Sequence, residues 1–395
     1  MFASVQSCSP HRPAVRVALA ASCAAVIVSG TIGFGIIGAG VASAAPVTGS
    51  VISSRPADST QGVTGAADVR YITYRTQDSL NRPAIAGALV YTPRGPVPAG
   101  GRPVIAWEHG TVGIAENCAP SRAGLGDDSY PGMLSTWLAR GYEVVAPDYI
   151  GLGTPGAHAY LDGHAEANAT VDAVRAAHAA TPGLSPRWAV VGHSQGGQAA
   201  LFTASEATKR APELDFRGTA AYAPGASVVD LMLLVGRPGL PDVLSPDMKA
   251  YGAYALAGLA AARPGFDLNS YLTPYGRQML ARITPLCLDA AVAAMNSASI
   301  AAMFSRPLSD GDFQAVARPV MDIPVSGYDR PILIAQGDAD SDVPAPLVFN
   351  LVAQLYAHGV NPDVRNYPSD DHETILISAR PAVDAYLDSI LRSTH

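Results

Sequence analysis

Three side chains, far apart in this chain, could together turn an alcohol into a nucleophile: Ser194, one aspartate of Asp338-Ala339-Asp340-Ser341-Asp342, and His372. A serine hydroxyl attacks poorly at neutral pH unless a histidine within hydrogen-bond reach takes its proton, and a carboxylate must hold that histidine in one tautomer. The order Ser, acid, His belongs to nucleophiles carried on a turn between a buried strand and a helix. Here Trp188-Ala189-Val190-Val191 has strand character, Gly192-His193-Ser194-Gln195-Gly196 forms the turn, and Ala199, Ala200 and Leu201 open a helix. The flanking glycines leave room for a cramped backbone at the serine. The amide of Gln195 would then face an oxygen bound above the turn.

Among the three aspartates, Asp338 stands too close to its strand and Asp342 adjoins Val343-Pro344, so Asp340 is the expected acid. His372 lies in the polar loop Ser369–Thr374 after a strand, whereas His358 closes a helix and His395 ends the chain. A second oxyanion donor is expected in Glu108-His109-Gly110-Thr111, at the amide of Gly110 or Thr111, because the turn follows a short buried strand. No His, Cys or Asp spacing suits a metal, and no cofactor is expected. The glycine-rich Asp148–Gly153 loop lacks the Gly-Lys-Ser/Thr that cradles phosphate and reads as structural.

The elements that must position these groups alternate. Strands are expected over Asp68–Tyr74 and Ala84–Tyr91, joined by the turn Asp78–Arg82, and then over Pro103–Trp107. A helix over Met133–Arg140, a strand over Tyr142–Pro147 and an Ala-rich helix over Ala165–Ala180 lead to the strand before Ser194. Gly218–Tyr222 is the next strand, and the rhythm implies an α/β fold with a mostly parallel sheet covered on both faces. Residues 226–328 carry no strand signal but show helical spacing over Val228–Val235, Ala250–Ala262 and Leu288–Phe304, as an inserted helical cap would. The core would therefore comprise residues 45–225 and 329–395, with an exposed lead-in over 45–67. Its second part holds a strand over Pro331–Gln336, a helix over Ala345–His358, a strand over Asp363–Tyr367 and a last helix to about Leu391.

Residues 1–44 contain no acidic side chain, carry Arg12 and Arg16, run apolar and end with Ala42 and Ala44, which suits a signal peptide cut after Ala44. An uncleaved membrane anchor is the alternative. The formal charge of −7, with no basic cluster, argues against nucleic acid and against electrostatic docking on anionic lipid. Cys8 and Cys23 fall in the leader, so Cys118 and Cys287 remain, and one disulfide is expected of an exported protein; two buried thiols are the alternative.

Gly192-His193-Ser194-Gln195-Gly196-Gly197, Cys118-Ala119-Pro120-Ser121, Gly337-x-x-Asp340-x-x-Val343-Pro344 and the late His372 resemble the secretory lipase family, lipase A type, of the α/β-hydrolases. The resemblance implies the α/β-hydrolase fold, a Ser194, Asp340 and His372 triad, a cap between the sixth and seventh core strands, and a disulfide like Cys118 to Cys287. It also implies a secreted serine hydrolase that cleaves acylglycerols or related lipid esters through an acyl-enzyme. A peptidase or amidase, an acyltransferase, and a binding protein that has lost the chemistry are the alternatives. The implied partners are a lipid or small ester substrate and transient contact of the cap with a lipid interface, with no protein partner.

Overall fold

The computed structural model describes residues 47–392, so the expected leader lies outside the described residues. Nine strands form one sheet: β1 (Val51–Pro56), β2 (Ala66–Gln77), β3 (Pro83–Pro93), β4 (Arg102–Glu108), β5 (Glu143–Ile150), β6 (Leu184–His193), β7 (Asp215–Tyr222), β8 (Ile332–Gly337) and β9 (Asp363–Tyr367). Their order is β1-β2-β3-β5-β4-β6-β7-β8-β9. The first three are antiparallel to their neighbours, and β5-β4-β6-β7-β8-β9 are parallel.

Strand alternation assigns each parallel strand to two cores. Val104, Ala106 and Val190 face Ala169, Ala173, Ala176 and Ala204 from the helices Gly163–Ala180 and Gln195–Arg210. Ile105, Trp107, Ala189 and Val191 face Leu134, Trp137, Val383 and Leu387 from the helices Tyr130–Ala139 and Arg380–Arg392. A strand with both faces covered must be continuously apolar, which is why the 104–107 and 188–191 runs read so clearly. The alanine-rich helix can lie close against the sheet because its side chains are short.

Two expectations need correction. The exposed lead-in over 45–67 contains β1, an edge strand whose residues are mostly exposed and which pairs with β2. Its polar Ser53-Ser54-Arg55 and terminal Pro56 hide it from an apolar pattern but suit an unpaired edge. The helix expected over Leu288–Phe304 is two, Leu288–Met295 and Ile300–Met303. Ser299 opens the second by accepting a hydrogen bond from the Ala302 amide at 3.4 Å, and a serine at that position starts a helix more readily than it continues one.

Between β7 and β8 the chain adds no strand to the sheet and is mostly helical, including Val228–Val235, Pro246–Ala262, Pro274–Ile283 and Phe313–Met321. They bury their own cluster, with Tyr254, Leu259, Ile283, Met295, Met303 and Phe313 inside. Counted without the edge strand β1, this insertion falls between the sixth and seventh strands. Among the described residues, no helix is long and apolar enough to cross a membrane.

The parallel register brings β4, β6, β7, β8 and β9 to a common edge. Glu108 pairs with Gly192, His193 with Tyr222, Tyr222 with Ala335, and Gly337 with Tyr367. The loops that leave the carboxyl ends of these strands are therefore neighbours, which is where open α/β sheets gather ligands.

Candidate active site

β6 ends at His193, and the helix Gln195–Arg210 begins two residues later. Ser194 bridges them at φ 59° and ψ −119°, a conformation that costs a side-chain-bearing residue about 1–3 kcal/mol. The Ser194 amide donates to the Tyr222 carbonyl at 3.0 Å, which ties the turn to β7. A Cβ on Gly192 would stand 2.0 Å from the Gly196 oxygen, and one on Gly196 would stand 1.9 Å from the Glu108 oxygen. The two glycines thus let three backbone segments meet where no side chain fits.

Asp340 lies just beyond β8, with a fully buried side chain. One carboxylate oxygen accepts from the amides of Asp342 at 2.9 Å and Val343 at 2.8 Å. The other stands 2.7 Å from His372 Nδ1. Asp338 is exposed and accepts from Asn366 at 3.0 Å, while half-buried Asp342 accepts from Tyr251 Oη at 3.1 Å. The loops are laced together, since the Asp338 and Ala339 amides donate to Tyr367 and Asp370. Burial opposes the charged form of His372, but the hydrogen bond and charge of Asp340, with Asp342 and Glu373 adding theirs, outweigh it and hold the imidazole above its ordinary range. Ser194 and His372 border the same cavity of about 730 Å³, together with Gly110, Thr111 and Tyr130.

His109, buried, donates from Nδ1 to the Gly110 carbonyl at 2.6 Å. The peptide is trans, so the Thr111 amide points away from that contact. Thr111 also borders a second, apolar cavity of about 110 Å³ that reaches Ser194 and Gln195 and is walled by Leu231, Met232, Met303 and Leu308.

Three buried side chains escaped the sequence reading. The Gln195 side chain donates to Glu166 at 2.6 Å and to His158 Nε2 at 3.0 Å, and His158 donates from Nδ1 to the Ile150 carbonyl at 3.1 Å. Burial raises the Glu166 carboxyl to about 8, with the Gln195 hydrogen bond working against it, and burial lowers His158 to about 3. Their only trace in sequence is a carboxylate inside an alanine-rich helix. The third is Tyr130, whose hydroxyl meets His193 Nδ1 at 2.7 Å.

Cys118 and Cys287 form a disulfide with Cα atoms 5.3 Å apart, and Gly113 pairs with Cys287 in an antiparallel bridge. The loop after β4 is thereby fastened to the helical insertion. The Asp148 carboxylate accepts from the Ser121 amide at 2.9 Å and hydroxyl at 2.6 Å, which gives Cys118-Ala119-Pro120-Ser121 and the Asp148–Gly153 loop a shared structural role.

The secretory lipase family profile matches residues 131–388. No curated protein sequence compared with the chain matches it. Among solved structures, Candida antarctica lipase A in its closed state superposes with a TM-score of 0.73 at 22% identity, covering 87% of this chain and 83% of that one. A ligand-bound rice cell wall degrading esterase from Xanthomonas oryzae superposes with a TM-score of 0.70 at 20% identity, covering 89% of this chain and all 100% of that one. At such identities these two establish a shared fold, and the family match extends the likeness to sequence. The chain is a hydrolase of α/β-hydrolase fold that belongs to the secretory lipase family.

Proposed function

We propose that the chain is an exported serine ester hydrolase that acts through an acyl-enzyme. Ser194 attacks the ester carbonyl while His372 takes its proton, and Asp340 orients the imidazole and stabilises its charged form. The amides of Gln195 and Thr111 hold the oxyanion; the His109 contact to the Gly110 carbonyl favours Thr111 over Gly110. The alcohol then departs with the proton from His372, and water repeats the sequence to release the acid. The observation that carries this reading is the 2.7 Å contact of Asp340 with His372, whose side chain borders the same cavity as Ser194.

The helices of residues 226–328 serve in this reading as a cap, and the apolar cavity of about 110 Å³ under them receives the acyl chain. A dry cavity of about 150 Å³ holds a six-carbon ring, so a short acyl chain of roughly four to six carbons suits this one. Cleavage after Ala44 and secretion accord with the family and with the Cys118–Cys287 disulfide, which persists in oxidising compartments. A series of p-nitrophenyl esters tests the reading. Butanoate or hexanoate should turn over faster than hexadecanoate, and the corresponding aminoacyl anilides should not turn over. Faster hydrolysis of the anilides would replace it with a peptidase.

A further inference from the structure

We propose that Tyr130 and His193 act as a positioning pair that locks the His372 loop, the nucleophile turn and the oxyanion loop into one register. The proposal rests on the triad reading above, but neither side chain belongs to the triad.

His193 immediately precedes Ser194 and is 2% exposed. Its Nε2 lies 2.9 Å from the carbonyl oxygen of His372. A carbonyl only accepts, so Nε2 carries the hydrogen, and Nδ1 is left with a lone pair. The Tyr130 hydroxyl, 2.7 Å from that lone pair, donates to it. Both ring nitrogens are thus satisfied, and the tyrosine selects the tautomer that can hold His372. With the other tautomer, a lone pair would face the carbonyl.

The pair reaches the third segment through Gly110. A Cβ there would stand 2.6 Å from the Tyr130 hydroxyl, so the oxyanion loop lies directly against it. Tyr130 is itself set by the helix Tyr130–Ala139 and by an edge-on contact with Trp107 of β4, with centroids 4.8 Å apart. The His193 and His372 rings lie 4.5 Å apart at 42°. His372 becomes a cation during turnover, so a second cation at that distance would oppose the step. Burial first, and the nearby His372 second, push His193 well below the ordinary histidine range, and it stays neutral.

Four variants test the pair in the full chain. His193→Phe keeps a ring without a donor, and a small misplacement of catalytic groups should lower kcat about 10- to 100-fold with little change in KM. His193→Gln retains a donor near the Nε2 position and should recover most of that loss. Tyr130→Phe removes one oxygen atom and should lower kcat about 5-fold or more beside the native His193, yet have no further effect in the His193→Gln background, where no tautomer needs selecting. The acid limb of kcat/KM should also move to lower pH in His193→Phe, because a loosened His372 leaves Asp340. A folded His193→Phe protein with native kcat overturns the proposal, as does a Tyr130→Phe loss that is the same in both backgrounds. Tyr130→Phe decides the matter alone if His193→Phe does not fold: native kcat in that variant overturns the tautomer lock. Reaction of the native protein with a fluorophosphonate separates the two levels. If Ser194 is not labelled, the triad itself is wrong; if it is labelled and the variants react at the native rate, only the positioning pair is wrong.

Discussion

The carboxylate of Asp340 accepts from His372 Nδ1 at 2.7 Å while the amides of Asp342 and Val343 and, at 3.4 Å, the Gln336 side chain also donate to it. The backbone bonds fix the carboxylate before the histidine arrives, so the imidazole has one orientation to adopt. In the proposed mechanism this arrangement also sets the pH at which His372 works as the base. His372 is held above its ordinary value against the opposing effect of burial, by Asp340 first and by Asp342 and Glu373 after it. The base must be neutral, so kcat/KM should rise with pH through that raised value. Glu373→Gln removes one nearby negative charge and should move the midpoint of the rise to lower pH, as a pH profile with a soluble ester would record. A shift upward would show that other charges govern His372.

Ser194 occupies a left-handed region that favours glycine, at φ 59°. Ser194→Gly should therefore abolish ester turnover and raise stability by about 1 kcal/mol, read as a higher urea midpoint at unchanged slope. A lower midpoint would mean that the hydroxyl is holding the turn together rather than straining it.

The Cys118–Cys287 bridge closes a loop across 169 residues and fastens the segment after β4 to the helical insertion. Changing both residues to serine should cost about 2–5 kcal/mol and lower the melting temperature. Dithiothreitol should do the same to the native protein. An unchanged melting temperature under reducing conditions would contradict this.

Glu166 carries a carboxyl raised to about 8 by burial, from an ordinary 4.5. Between those values the unfolded chain releases a proton that the folded chain keeps, so stability falls as pH rises, by up to about 1.4 kcal/mol per pH unit from this group. The loss is absent below the lower value and complete above the higher one. Glu166→Gln keeps an acceptor for Gln195 and removes the proton, so the variant should gain on the native protein as pH is raised from 5 to 8. Parallel urea curves for the two proteins across that range would contradict the assignment.

Much of this fold is legible in the sequence. The doubly buried strands around Trp107 and Val191 and the glycines flanking Ser194 carry patterns that only a few backbones accept. Asp340 and His372 could be placed because each follows a strand that ends at one sheet edge. β1 was not legible, since Ser53, Ser54 and Arg55 face solvent and leave no apolar alternation. The break between Met295 and Ile300 was missed because a serine cap interrupts an otherwise helical composition. Glu166, His158 and Tyr130 were invisible for a different reason. Their importance comes from burial against Gln195 and His193, and burial is a property of the assembled sheet and helices rather than of neighbours in the chain.

In the proposed mechanism the Ser194 hydroxyl is activated by His372 and Asp340. Peptide mapping after exposure to a fluorophosphonate tests it most directly. One adduct is expected, on the peptide that carries Ser194, forming rapidly in the native protein and at least about 100-fold more slowly in His372→Ala. An adduct on another residue, or equal labelling with and without the imidazole, would contradict it.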